Sequence, residues 1–140
     1  MKKEKIKRYI YSQIENGRFS FLSPNISSGI IYKIPSPYNL VEHNFEIAYL
    51  YLREGSLVFL HEHLKDIERY KCIEGILSIN GERVEENICK IKKSHSIDRV
   101  PEDTIIETFK ITEDYLLQNK EQEITSNTFE KVLRKHIIGK

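Results

Sequence analysis

The chain has 140 residues, 39% of them hydrophobic, and its 22 lysines and arginines against 21 acidic residues leave a formal charge of +1. That length suits one ordinary domain that buries a core without staples, and so balanced a charge gives no electrostatic reason to expect a nucleic-acid partner. No apolar run approaches a membrane span, and lysine, glutamate and arginine interrupt the N-terminal segment where a secretory signal needs an apolar stretch.

Taken in chain order, residues 3–16 carry Ile6, Ile10 and Ile14 at four-residue spacing with Tyr9 beside them and Gly17 as a stop, which predicts an amphipathic helix. Its apolar stripe suits packing on the main body or on a second subunit. Residues 18–43 are rich in serine, proline and asparagine and read as loop, with one short strand at 29–33 before Pro35 and Pro37 break regular structure. The period then changes to two. Phe45, Ile47, Tyr49 and Tyr51 alternate with Glu46, Ala48, Leu50 and Leu52, a strand with apolar character on both faces. A second strand carries Leu57 and Phe59, expected on the same face as His61 and His63.

Short strands follow at 69–73 and 76–79 about Gly75, at 83–84 after the tight-turn pair Asn80-Gly81, and at 88–91, 94–97 and 104–110, with Pro101-Glu102-Asp103 as a turn. Beyond them, 113–120 and 128–138 read as helices. Asn127 is the expected cap of the last helix, Phe129, Val132, Leu133 and Ile137 its apolar face, and Gly139 its stop. So many short strands separated by turns argue for an antiparallel sandwich or barrel. The expected division is a helical arm and loop over 1–28, a β core over 29–112 and C-terminal helices over 113–140. Cys72 and Cys89 lack any ligand or redox spacing. The expectation is therefore a cytoplasmic protein with reduced thiols, in which the sequon Asn25-Ile26-Ser27 is a chance match.

Residues 55–75, GSLVFLHEHLKDIERYKCIEG, carry the chemistry. On a strand His61 and His63 point one way and Glu62 the other. Residues 64–67 are short enough to turn the chain back, so Glu68 opens the next strand beside the histidines. Two imidazoles and a carboxylate converging in this way suit a divalent metal, and His95 offers a third imidazole. Burying an unpaired carboxylate costs roughly several kcal/mol. A metal satisfies Glu68, whereas alternation sends the adjacent Arg69 to the opposite face. Mixed nitrogen and oxygen ligation leaves iron, manganese, nickel, cobalt and zinc as candidates. Tyr70 and Cys72 share the face of Glu68, and with Tyr49 and Tyr51 they are the expected lining of a substrate pocket. Tyr70 and Glu107 are the candidate acid–base residues, Glu107 only if Ile106 and Thr108 face outward. Lys90, Lys92 and Lys93 read as a solvated loop able to draw an anion toward the mouth. His43 and His136 fall outside the pattern as surface or packing residues.

Gly55, His61, His63, Glu68 and Gly75 have the spacing G(X)5HXH(X)3,4E(X)6G, which resembles the first motif of the cupin superfamily. The second motif, G(X)5PXG(X)2H(X)3N, is matched through His95; Val84, Lys90, Lys92 and Arg99 stand where the family has glycine, proline, glycine and asparagine. The resemblance implies a small antiparallel cupin-like β-barrel (a double-stranded β-helix, or jelly roll) with a divalent metal held by His61, His63, Glu68 and His95. It implies a metal-dependent enzyme acting on a small organic molecule, of isomerase, epimerase, lyase or dioxygenase type. The alternative is a non-catalytic module that binds or senses a sugar or other small ligand. The family often forms dimers, so a homodimer is expected.

Overall fold

The computed structural model describes residues 3–37, 44–120 and 123–138. Among these residues eleven strands form two antiparallel sheets. The larger contains β1 (Ser20–Phe21), β3 (Ile31–Pro35), β4 (Phe45–Leu52), β11 (Thr104–Thr112), β6 (Asp66–Glu74) and β9 (Glu86–Cys89), in that spatial order. The smaller contains β2 (Ser27–Ser28), β5 (Leu57–His61), β10 (His95–Ile97), β7 (Leu77–Ile79) and β8 (Glu82–Val84). Among the described residues no ladder joins the two, so the expected barrel is open along its seams and the sheets face each other as a sandwich.

Between the sheets lies a core that includes Leu50, Leu52, Tyr70, Ile97 and Ile106. The outer face of the larger sheet is covered as well. The helix α1 (Lys3–Glu15) lays Ile6 and Ile10 against Ile34, Tyr49 and Ile105. At the other end α2 (Glu113–Gln118) and α3 (Ser126–Val132), which runs on into a π-helical turn at Leu133–Ile138, bring Leu116, Phe129 and Val132 onto Phe45, Phe109 and Ile111. Double coverage is why β4 and β11 are apolar on both faces: neither face meets water. The apolar stripe of α1 is spent on its own chain, so a homodimer cannot rest on that stripe.

Two sequence expectations change in detail. The segments carrying His61 and Glu68 do not pair as a hairpin, because β5 and β6 lie in different sheets and the chain crosses between them. The cap of α3 is Thr125 rather than Asn127; the Thr125 N–H donates to the Thr128 hydroxyl at 3.2 Å, closing the first turn. His43 and Gly139 lie outside the described residues. Asn80 and Gly81 have φ of 52° and 83°, the left-handed pair of the tight β7–β8 hairpin. At Gly75, φ is 95° and a Cβ would lie 2.5 Å from Thr104 Oγ1 and 2.7 Å from the Asp103 carbonyl. Only glycine meets both demands where β6 leaves for the opposite sheet.

Candidate metal centre

A bulge aims the first histidine. Along the β5–β10 ladder His95 pairs with His61 but Ile97 pairs with Val58, so three residues of β5 span two of β10. Phe59 and Leu60 are consequently both exposed, at 44% and 67%, while His61 returns to the face of the buried Val58. This corrects the expectation that Leu57 and Phe59 share the histidine face: strict alternation fails because the extra residue shifts the phase. His63 follows beyond the strand end, and its carbonyl accepts the Lys92 N–H at 2.8 Å. Lys92 has φ of 61°. The left-handed turn before His95 is thus kept although lysine replaces the glycine of the cupin pattern. At the Asn position of that pattern, Arg99 Nη1 donates to the Gly55 carbonyl at 2.6 Å and ties the two motif regions together.

The imidazoles of His61, His63 and His95 each place a ring nitrogen within 4.8 Å of the other two. Their ring centroids are 4.3 to 5.2 Å apart. His61 Nδ1 meets the Phe59 carbonyl at 2.7 Å and His95 Nδ1 the Lys93 carbonyl at 3.3 Å. A carbonyl only accepts, so each of these Nδ1 atoms is the donor, which leaves Nε2 as the atom either ring can offer a metal. His95 Nε2 meets the Tyr70 hydroxyl at 3.3 Å. His63 Nε2 lies 3.2 Å from Glu68 Oε1 without hydrogen-bond geometry, and both are buried atoms with no hydrogen-bond partner among the described residues. Lone pairs crowded together and partly unsatisfied fit a cation. Glu68 approaches His63 and lies outside the three-histidine group.

The electrostatics follow from this crowding. Glu68 beside His63 raises the imidazole above its ordinary value against the effect of burial. Burial and the neighbouring His61 lower His95. Burial drives the Glu68 carboxyl up, but His63, Lys110 and Tyr70 outweigh it and leave the group below the ordinary carboxylate range. Tyr70 is pushed well above an ordinary phenol by burial and by Glu68, so its hydroxyl stays protonated and serves as a donor.

A cavity of about 110 Å³ adjoins the histidines. Of the expected lining only Tyr70 belongs to it. Tyr49 is 1% exposed on the outer face beneath α1. Tyr51 is also on that face, its ring 5.9 Å from Tyr11 and its hydroxyl 3.3 Å from Asp103 Oδ2. Because both faces of β4 are covered, the sequence pattern favoured neither side. Cys72 faces inward as expected but stands away from the cavity, its Sγ 3.6 Å from the Gly75 carbonyl. It and the buried Cys89 are both free thiols. Glu107 faces outward and pairs with Arg69 at 3.3 Å, which removes it as an acid or base for the cavity, while Thr108 of the same strand lines it. His136 is a packing residue, its Nε2 3.0 Å from the Tyr115 hydroxyl.

Four polar lining residues escaped the sequence reading: Lys33, Glu46, Thr108 and Lys110. Their signal was alternation. Once Glu107 is outward, alternation turns Thr108 and Lys110 inward, and Lys110 pairs in register with Glu46 on one side and Glu68 on the other.

No protein-family model and no curated protein matches the chain. Solved structures do. A predicted oxalate decarboxylase from Thermotoga maritima matches with a TM-score of 0.54 at 22% identity, over 67% of this chain and 91% of that one. An acetylacetone dioxygenase from Acinetobacter johnsonii matches with a TM-score of 0.52 at 13% identity, over 69% of each chain. The cupin domain of Schizosaccharomyces pombe Cnp3 gives 0.52 at 12% identity, over 69% of this chain and 74% of that one. The chain is a protein of cupin fold, with three clustered histidines able to hold a metal.

Proposed function

We propose that the chain is a metal-dependent cupin enzyme acting on a small organic molecule, with a divalent ion held by His61, His63, His95 and Glu68. The observation that carries this reading is the convergence of three imidazoles whose nitrogens lie within 4.8 Å of one another beside a cavity. A bound metal supplies Lewis acidity toward a substrate oxygen or activation of a small molecule such as water. The chain's own groups hold the imidazole tautomers and supply the Tyr70 hydroxyl as a donor. Likeness in fold to a predicted oxalate decarboxylase and an acetylacetone dioxygenase agrees with lyase or oxygen chemistry, and isomerase or epimerase chemistry shares the same requirement.

A second reading, a binding or sensing module without turnover, is favoured by one feature. Among the described residues Glu46 is paired with Lys33 at 3.0 Å, and on the metal reading Glu68 is a ligand, which leaves neither cavity carboxylate as a base. Elemental analysis of untagged protein purified without chelators, alongside His61→Ala, tests the first reading. Near-stoichiometric metal in the native protein and its loss in the variant are expected. A native protein that takes up none of the five ions overturns it. Given metal, the absence of product from any small-acid or sugar substrate would move the assignment to the binding module. The homodimer belongs to the same proposal, and light scattering that gives a monomer at every concentration removes it.

A further inference from the structure

Charge in the cavity is arranged in a row across three strands. Lys110 on β11 faces Glu46 on β4 and Glu68 on β6 in register, and all three side chains line the cavity. Glu46 is taken by Lys33 at 3.0 Å, and Glu68 stands 3.2 Å from His63. Lys110 has no carboxylate within 4.0 Å among the described residues, so its ammonium faces the cavity uncommitted, although it acts at longer range on Glu46, Glu68 and His63. Lys33 and Lys110 offset Glu46 and Glu68, and Asp66 adds one carboxylate 3.3 Å from His63 Nδ1, so a divalent ion on neutral imidazoles would still leave the site with a net positive charge.

From this arrangement we infer that the ligand is a small organic acid whose carboxylate pairs with Lys110 while another of its oxygens faces the metal. The inference rests on the metal reading proposed above. Size limits the class further. A cavity of about 150 Å³ accommodates benzene, so the 110 Å³ here suits an acid of about six non-hydrogen atoms or fewer. Mixed lining agrees, since Leu50 along β4 from Glu46 and Val58 on the facing sheet offer apolar surface for a short carbon stem. A lysine gives a point charge rather than a bidentate fork, so a carboxylate is held by charge and location, with little demand on its orientation.

Pyruvate and pyruvamide, of equal size and differing in charge, test the inference on cobalt(II)-loaded protein by calorimetric titration, with metal content measured on the same samples. Pyruvate should bind the wild type, and Lys110→Met and Lys110→Gln should each weaken it at least tenfold. Lys110→Arg should restore most of the affinity, and pyruvamide should bind wild type and variants alike. Metal content should be equal in all four proteins. Pyruvate that binds Lys110→Met and Lys110→Gln as tightly as wild type, or that fails to bind the metal-loaded wild type, overturns the inference while leaving the metal centre intact. A wild type that takes up no cobalt overturns the metal reading instead, and the inference falls with it.

Discussion

Glu68 and Arg69 are neighbours on β6, both nearly sealed from solvent at 3% and 1% exposure, and they point to opposite faces of the sheet. Arg69 is surrounded by partners. Its Nη1 donates to Glu130 Oε1 at 2.7 Å and Ser126 Oγ at 3.2 Å, its Nη2 pairs with Glu107 at 3.3 Å, and Phe109 and Phe129 present ring faces at 5.8 and 5.3 Å. Its Nε alone lacks a partner. Glu68 has His63 at one oxygen without hydrogen-bond geometry. A buried charge with a near-complete set of partners holds structure together; one left short is available to a ligand. The outer face of β6 therefore fastens the C-terminal helix, and the inner face carries a carboxylate with an oxygen left open to a ligand.

Breaking the satisfied side should have the largest effect. Arg69→Met removes the cation that Glu107 and Glu130 share and unfastens α3. Losing one partner of a buried ion pair costs about 3 kcal/mol or more, so thermal unfolding should move down by roughly 10 °C. Metal content of the folded protein should stay at the wild-type level. If Arg69→Met also abolishes metal uptake while still folded, the two faces of β6 are coupled and the contrast fails. Glu68→Gln addresses the other side. It should weaken metal affinity by at least about 10- to 100-fold, since that is the loss typical of a group that only supports a ligating histidine, and shift metal-free stability by less than about 1 kcal/mol. Equilibrium dialysis against a competing chelator, with a denaturant titration of the metal-free form, separates these outcomes. An unfolded Glu68→Gln would make Glu68 a structural residue instead.

Glu130→Gln grades the clasp more finely. The carboxylate side chain is 36% exposed, so water takes over part of its role, and the expected loss is about 1 kcal/mol. A denaturant midpoint as low as that of Arg69→Met would place the whole clasp in this one pair. Lys92→Gly should have the smallest effect and the opposite sign. Its φ of 61° strains any residue with a Cβ, so glycine should stabilise by up to about 1 kcal/mol. A destabilised Lys92→Gly would show that the lysine side chain contributes more than its backbone strain costs.

The local pattern carried a large part of the site. Two histidines two residues apart, with glycines at both ends of the segment, made the candidate metal centre legible, because ligand identity and turn chemistry are local properties. The same holds for Asn80-Gly81, whose left-handed backbone is a property of the pair itself. Placing Tyr49 and Tyr51 in the pocket failed for a physical reason. When helices cover the far side of a sheet, both faces of a strand are apolar, and period two no longer says which face is inside. The bulge in β5 was equally invisible, since one extra residue changes phase without changing composition.

By itself the sequence determined the residue types that can ligate, the strand-rich order of elements and the left-handed turns, all set by covalent spacing and backbone sterics. Only tertiary structure decided that the chain crosses between sheets at residues 62–65, that α1 and α3 cover the outer face, and that Lys110 stands between Glu46 and Glu68. Those outcomes depend on which strands lie side by side, and that is settled by burying apolar surface across the whole chain at once, which no local window of sequence contains.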